Sequence, residues 1–211
     1  MKKINMQKIL MWIFAILPSI VMMVFYNKLP DNVIIHIGIT GSLRYGDKKV
    51  LWILPLISIL LAVLFVMLKK KNSKKVEDFN NEYYAVGLTS MIFMFGVMVI
   101  TILSNLGINI LPIGNVIIFC LAILFAVIGS IMRNSSHFKF INNWTKRDYE
   151  VLKKTQRFCG KLLIITGLIL AITTIFVTGL KLSLTTIGMV ILNLIIPNVM
   201  SYIWYRERHK K

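Results

Sequence analysis

Apolar residues gather along this chain in six stretches, at about residues 8–26, 50–68, 85–104, 112–132, 160–180 and 183–204. None of them carries Asp, Glu, Lys or Arg away from its ends. Each approaches the ~20 residues that a helix needs to cross ~30 Å of hydrocarbon. A backbone in lipid has no water to bond, so a single crossing segment must satisfy its own N–H and C=O groups as a helix. The pattern predicts an all-α integral membrane protein, one polytopic domain over residues 1–211 with six transmembrane helices.

The period changes between the first two stretches. The loop 27–49 reads NKLPDNVIIHIGITGSLRYGDKK, and Val33, Ile35, Ile37 and Ile39 alternate with Ile34, His36, Gly38 and Thr40. Period two followed by Thr-Gly-Ser predicts a short β-like strand or hairpin, lying over the outer mouth of the bundle. Two further loops, 69–84 and 133–159, fall on the opposite side. The second ends TKRDYEVLKKTQRF. There Tyr149, Leu152 and Phe158 can share one face of an amphipathic helix lying on the membrane, with a solvated linker as the alternative.

Composition agrees with lipid as the solvent. Hydrophobic residues are 57% of the chain and the mean hydropathy is +0.75, whereas a soluble domain has about 45–50% apolar residues. The net charge of +17 would suggest nucleic acid in a soluble domain, but here it sits in the loops and sets topology instead. Lys2, Lys3, Lys8, Lys69, Lys70, Lys71, Lys74, Lys75, Arg133, Lys139, Lys146, Arg147, Lys153, Lys154, Arg157, Lys161, Arg206, Arg208, Lys210 and Lys211 fall on one side. Only Lys28, Arg44, Lys48, Lys49 and Lys181 fall on the other. By the positive-inside rule the first side is cytoplasmic, which puts both termini inside and loop 27–49 outside. Direct binding of nucleic acid is not expected. The first stretch is longer than a signal-peptide core and no small-residue cleavage site follows it, so it reads as a retained helix.

No catalytic constellation is present: no HExxH, GxSxG, P-loop or carboxylate cluster. Cys120 and Cys159 do not form a disulfide framework, and His36, His137 and His209 share no ligand spacing, so no metal or cofactor is expected. The spans hold uncharged polar residues, Thr89, Ser90, Thr101, Asn115, Thr166, Thr173, Thr174, Asn193 and Asn198 among them. Their ordinary use is interhelical hydrogen bonding, about 0.6–2 kcal/mol each. Asn193, Pro197 and Ser201 recur every fourth residue and form a candidate intramembrane polar stripe, with Pro197 able to kink the last helix. His36 is the single histidine of the outer loop, a candidate ligand contact or acidity sensor, or simply a loop residue bonded to backbone. Trp144 fits an interfacial anchor.

Three segments resemble the bacterial SdpI family, the immunity proteins against the sporulation-delaying peptide toxin. In the outer loop Pro30, His36, Gly41, Tyr45, Gly46 and Lys48 fit the family's frame, while Ile37-Gly38 stand where a Trp-Asn is usual. In the cytoplasmic segment Trp144, Thr145, Glu150, Val151, Lys154, Thr155, Arg157, Gly160 and Lys161 fit. Gln156 replaces a His there, and Ile141, Asn142 and Asn143 replace an Arg-Thr-Pro. In the last helix Pro197, Ser201, Tyr202 and Tyr205 fit. These departures mark a divergent member.

The resemblance implies a non-enzymatic multi-pass protein of the bacterial cell membrane, protecting the cell against a membrane-active peptide toxin. It also implies that a transcriptional repressor could be held at the inner face. On this reading Pro30, His36, Gly41, Tyr45 and Lys48 are the candidate toxin-facing residues. Trp144, Thr145, Lys154, Thr155, Arg157 and Lys161 are the candidate cytoplasmic partner surface. The competing reading is a small transporter or exporter component for a peptide or lipid-like compound, using the stripe Asn193, Pro197 and Ser201 as a groove. It lacks intramembrane charge, an ATPase motif and evident inverted repeats.

Overall fold

A computed structural model describes residues 6–72, 79–108, 112–134 and 140–210, without the side chains of 68–72 and 79–82. Among the residues used above for orientation, Lys2, Lys3, Lys74, Lys75, Lys139 and Lys211 lie outside the described residues, as do His137 and residues 73–78 of loop 69–84. Six helices are long and apolar enough to cross a membrane: α1 (Met6–Phe25), α2 (Ile53–Asn72), α3 (Phe79–Asn105), α4 (Ile113–Asn134), α5 (Tyr149–Phe176) and α6 (Gly179–Arg208). Between α1 and α2 lie two antiparallel strands, β1 (Asn32–Ile37) and β2 (Leu43–Asp47). The all-α bundle with a small β element after its first helix is the fold class expected from the hydropathy pattern.

The helices turn apolar residues both outward and inward. On α1, Met11, Ala15, Pro18 and Met22 are buried at helical spacing, while Ile9, Ile13, Ile16, Ile20 and Met23 are exposed. A water-soluble helix would carry polar residues on that second face; here lipid takes their place. α1, α2 and α3 meet in two clusters. Met11, Ala15, Ala62, Tyr84 and Met91 form one. Met22, Leu29, Val33, Leu51, Met98 and Ile102 form the other, at the hairpin end.

The second half is built on a closer contact. A Cβ on Gly160 would stand 2.6 Å from the Arg133 backbone nitrogen and 2.7 Å from the Gly129 carbonyl oxygen. One on Gly167 would stand 2.5 Å from the Ala122 carbonyl oxygen. The backbones of α4 and α5 touch, as small residues permit in membranes, where dispersion and packing replace the hydrophobic effect between helices. Asn115 Nδ2 closes the same pair at the hairpin end by donating to the carbonyls of Thr174 (2.8 Å) and Val177 (2.9 Å). Along α6, Asn193 Nδ2 donates to Thr166 Oγ1 of α5 at 2.8 Å.

Two elements differ from the sequence expectation. The strands do not alternate strictly: a bulge falls between Ile34 and His36, so Val33 pairs with Gly46 and Ile34 with Tyr45, but His36 pairs with Arg44. One residue of β1 is extra, which inverts the facing beyond it. Second, residues 149–159 do not form a separate helix lying on the membrane. They are continuous with the fifth span, giving a helix of 28 residues, about 42 Å long at 1.5 Å per residue. No proline interrupts it, and Val151, Leu152, Thr155, Gln156 and Cys159 are buried as the inward face of this extension. Of the face that would have lain on lipid headgroups, Leu152 is packed on protein, while Tyr149 is exposed and Phe158 half-buried.

The α4–α5 contact makes a simple test. Gly167→Leu should cost about 1–3 kcal/mol through overpacking, read as a lower unfolding temperature and loss of monodispersity in detergent. Gly96→Leu should leave both unchanged, because a Cβ at Gly96 meets nothing within 4 Å.

Candidate functional site

At the hairpin end the strands are tied down from three sides. The Ile34 backbone N–H donates to Asn105 Oδ1 at the end of α3, at 2.6 Å. Lys48 Nζ pairs with the Asp31 carboxylate at 2.9 Å and lies 5.2 Å from the Tyr26 ring centroid, while its backbone N–H donates to the Asp31 carbonyl at 3.1 Å. The hydrogen bond and charge of Lys48 hold the Asp31 carboxyl below its ordinary value, and Asp31 holds the Lys48 ammonium above its own. Asp31 is open to solvent, so the ion pair adds little stability; the backbone bond fixes the strand ends. The turn is closed by Gly38 N–H to the Ser42 carbonyl (2.7 Å) and Gly41 N–H to the Gly38 carbonyl (2.8 Å). Gly41 has φ +85°, a left-handed conformation that suits glycine. Gly179 (φ +59°) stands against it, with room for a Cβ only 3.1 Å from the Thr40 carbonyl. The hairpin therefore reaches from the α1–α2 side to the turn between α5 and α6.

Beneath it lies a groove of about 490 Å³. Its walls include Ile34, Ile37, Ile39, Val97, Ile117 and Ile118, with His36, Thr101 and Ser183 as its polar side chains. Of the sequence candidates at this end, His36 lines the groove and is otherwise exposed; Pro30 and Tyr45 are exposed; Gly41 is in the turn; Lys48 is half-buried against Asp31.

At the opposite end the segment 140–148 folds onto α5 and α6. Asn142 organises it. Its Oδ1 accepts from the backbone N–H groups of Trp144 (3.0 Å) and Thr145 (2.9 Å). Its Nδ2 donates to Ser201 Oγ (2.6 Å) and Asn198 Oδ1 (3.0 Å) on α6. Thr145 Oγ1 donates to the Phe140 carbonyl at 2.8 Å. Trp144 packs between Tyr202 and Tyr205, with ring centroids at 5.0 and 5.4 Å. Asp148 caps α5, accepting from the N–H groups of Glu150 (2.9 Å) and Val151 (3.3 Å). Its other oxygen meets Arg208 Nε at 2.9 Å and His209 Nε2 at 3.3 Å. Burial pushes the Asp148 carboxyl up, but the two backbone N–H donors and the charges of Arg208 and His209 outweigh it, and the carboxyl ends below its ordinary value.

The candidate residues separate here. Thr145 and Thr155 are buried, at 2% and 0% exposure, and cannot form an open surface. Trp144 is half-buried, while Lys154, Arg157 and Lys161 are exposed. Lys154 Nζ stands 4.5 Å from the Trp204 ring centroid, and Phe158 meets that ring edge-on at 5.5 Å. The stripe Asn193, Pro197 and Ser201 is divided: Asn193 bonds to α5, Ser201 to Asn142, and Pro197 is buried. Among the described residues no group of three His, Cys, Asp or Glu could hold a metal ion.

Sequence reasoning missed Asn105, Asn142 and Asp148. Asp148 had a signal, an Asp placed just before a Tyr-Glu-Val helix start. Asn142 was visible only as a departure from the family motif, and Asn105 had no local signal.

Because its carboxyl is depressed, Asp148 contributes stability that is complete above the ordinary value of 3.8 and is lost as pH falls through the lower folded value. Unfolding temperature in detergent should hold through mildly acidic pH and fall in that acid range. Asp148→Ala should lower stability at neutral pH by about 1 kcal/mol, as for a lost N-cap, and flatten the acid limb.

The comparisons bear on both ends. The model of the SdpI/YfhL protein family matches residues 141–204, which begin at the Asn142 segment and run through the α6 residues that receive it. Over 211 residues, 98% of each chain, the sequence is 26% identical to the immunity protein SdpI of Bacillus subtilis (strain 168). No solved structure matches significantly. The resemblance of this six-helix chain to the SdpI/YfhL family is thereby shown, over nearly its whole length in one comparison and over its last two helices in the other.

Proposed function

We propose that this chain is a non-enzymatic immunity protein of the bacterial cell membrane, which receives a membrane-active peptide at its hairpin end. The observation that carries this reading is the open apolar groove of about 490 Å³ lined by β1 and the adjoining helix ends, joined to a chain-length likeness to an immunity protein. A peptide in the adjacent leaflet meets the hairpin, His36 and Tyr45 before any other part of the chain. The distribution of basic residues supports an orientation with both termini inside and the hairpin outside. A second reading concerns the other end. A groove of about 720 Å³ between α5 and α6 carries Glu150, Lys154, Phe158, Trp204, Glu207 and Arg208. That mixture of charge and half-buried aromatic surface suits a protein partner, such as the repressor that the family resemblance implies. The transport reading gains no support, since Asn193 and Ser201 are engaged in helix contacts.

The test is protection. A sensitive strain expressing the chain should survive sporulation-delaying-type peptide toxin and remain sensitive to unrelated membrane-active peptides. Ile34→Pro removes the N–H that meets Asn105 and should abolish protection, with the protein still in the membrane. Absence of protection by the unaltered, membrane-inserted chain would overturn the immunity reading.

A further inference from the structure

A second groove, of about 600 Å³, lies on the other side of α5, against the end of α4. It holds four cations, Arg133, Lys153, Arg157 and Lys161, together with Tyr149 and Gln156. No carboxylate lines it, and among the described residues none of the four cations makes an ion pair. Lys153, Arg157 and Lys161 form the rim shared with the α5–α6 groove, whose far wall adds Glu150 and Glu207, whereas Arg133 belongs to this groove. Concentrating four unpaired cations around one concavity raises the local potential, and this favours an anion there.

The α4–α5 contact fixes the depth of this groove. Gly160 packs on the backbone of Arg133, so Arg133 and Lys161 stand at one level. That level is where both helices change character: the charge-free run ends at Met132 on α4 and begins at Leu162 on α5. Arg157 is about one helical turn beyond, and Lys153 about two, roughly 6 and 12 Å. The headgroup layer outside ~30 Å of hydrocarbon spans about 5–8 Å on each side. Lys161 and Arg133 thus lie at the base of that layer and Arg157 within it, the level of a lipid phosphate.

We propose that this groove seats the phosphate of an anionic phospholipid, with Arg133, Arg157 and Lys161 around the phosphate and Lys153 at its outer rim. The acyl chains continue down the lipid-facing side of the bundle. The site is separate from the hairpin groove and does not depend on the immunity reading.

The experiment uses the full chain purified in detergent, with unfolding temperature followed against added phosphatidylglycerol, phosphatidylcholine, inorganic phosphate and an acidic peptide. Phosphatidylglycerol should stabilise saturably, and the other three should not at the same concentration. Lys153→Gln, an exposed change, should weaken half-saturation about fivefold, and Arg157→Gln with Lys161→Gln about 25-fold, as expected near an anionic surface. Arg157→Lys with Lys161→Arg should keep most of the affinity and shows that the loss is one of charge, not of folding. Equal stabilisation by phosphatidylcholine would overturn the proposal, as would unchanged affinity in the charge-neutralised variants. An equal effect of inorganic phosphate would make it a free-anion site, and preferential binding of the acidic peptide would make it a protein-docking surface; either overturns the lipid assignment.

Discussion

The touching backbones of α4 and α5 set much of what the rest of the second half does. Gly129, Gly160 and Gly167 leave no room for a side chain between the two helices. In lipid this close approach supplies the dispersion that burial from water supplies elsewhere. It fixes α5 against α4, and the part beyond the apolar span continues as the same helix with its inward face already occupied. Everything at the basic end then follows from α5: the cap at Asp148, the seat of segment 140–148, and the level at which Arg133 meets Lys161.

The two ends are held by different means. At the hairpin end, Ile34 N–H to Asn105 and Asn115 to the carbonyls of Thr174 and Val177 are single side-chain amides that satisfy backbone groups near the polar boundary. At the other end Asn142 bonds to its own segment and to α6 together, and aromatic rings from Trp144, Tyr202 and Tyr205 stack beside it. The hairpin lies over an apolar hollow with few polar bonds to it, whereas the basic end is packed and cross-bonded. An apolar ligand can enter the first with little lost hydrogen bonding. The second offers only its outer surface.

The six helices and the hairpin were legible because lipid and pleated strands impose simple periods on sequence: long uncharged runs in one case, Val33 to Thr40 alternating in the other. The bulge after Ile34 was not, since a single extra residue leaves the residue types unchanged and alters only their pairing. The start of α5 was misjudged for a related reason. Hydropathy marks where the apolar span begins, at about residue 160, and not where the helix begins, at Tyr149. The apparent surface face of Tyr149, Leu152 and Phe158 divides in the fold: Tyr149 is exposed, Leu152 buried and Phe158 set edge-on to Trp204. Thr145 and Thr155 were readable as motif positions, but a threonine that supports a turn or fills a helix contact looks the same in sequence as one that meets a partner.

The stripe on α6 shows how the same residue spacing can carry different work along one helix. Asn193 lies where α5 and α6 pack within the span, and its bond to Thr166 joins two helices at depth. Ser201, two turns further, receives Asn142 from segment 140–148 instead. A continuous polar pathway would need these side chains to face one shared space, and buried Pro197 stands between them. What the repeat of four produces is therefore a seam: one side of α6 fastened to α5 below and to segment 140–148 above. The remaining sides, with Leu184, Ile187, Ile191 and Leu194 exposed, are left to lipid. Fastening of this kind holds Trp204 and Arg208 beside Lys154 on a single rigid face, the arrangement a docking partner or a lipid headgroup needs if it is to find the charges already in place.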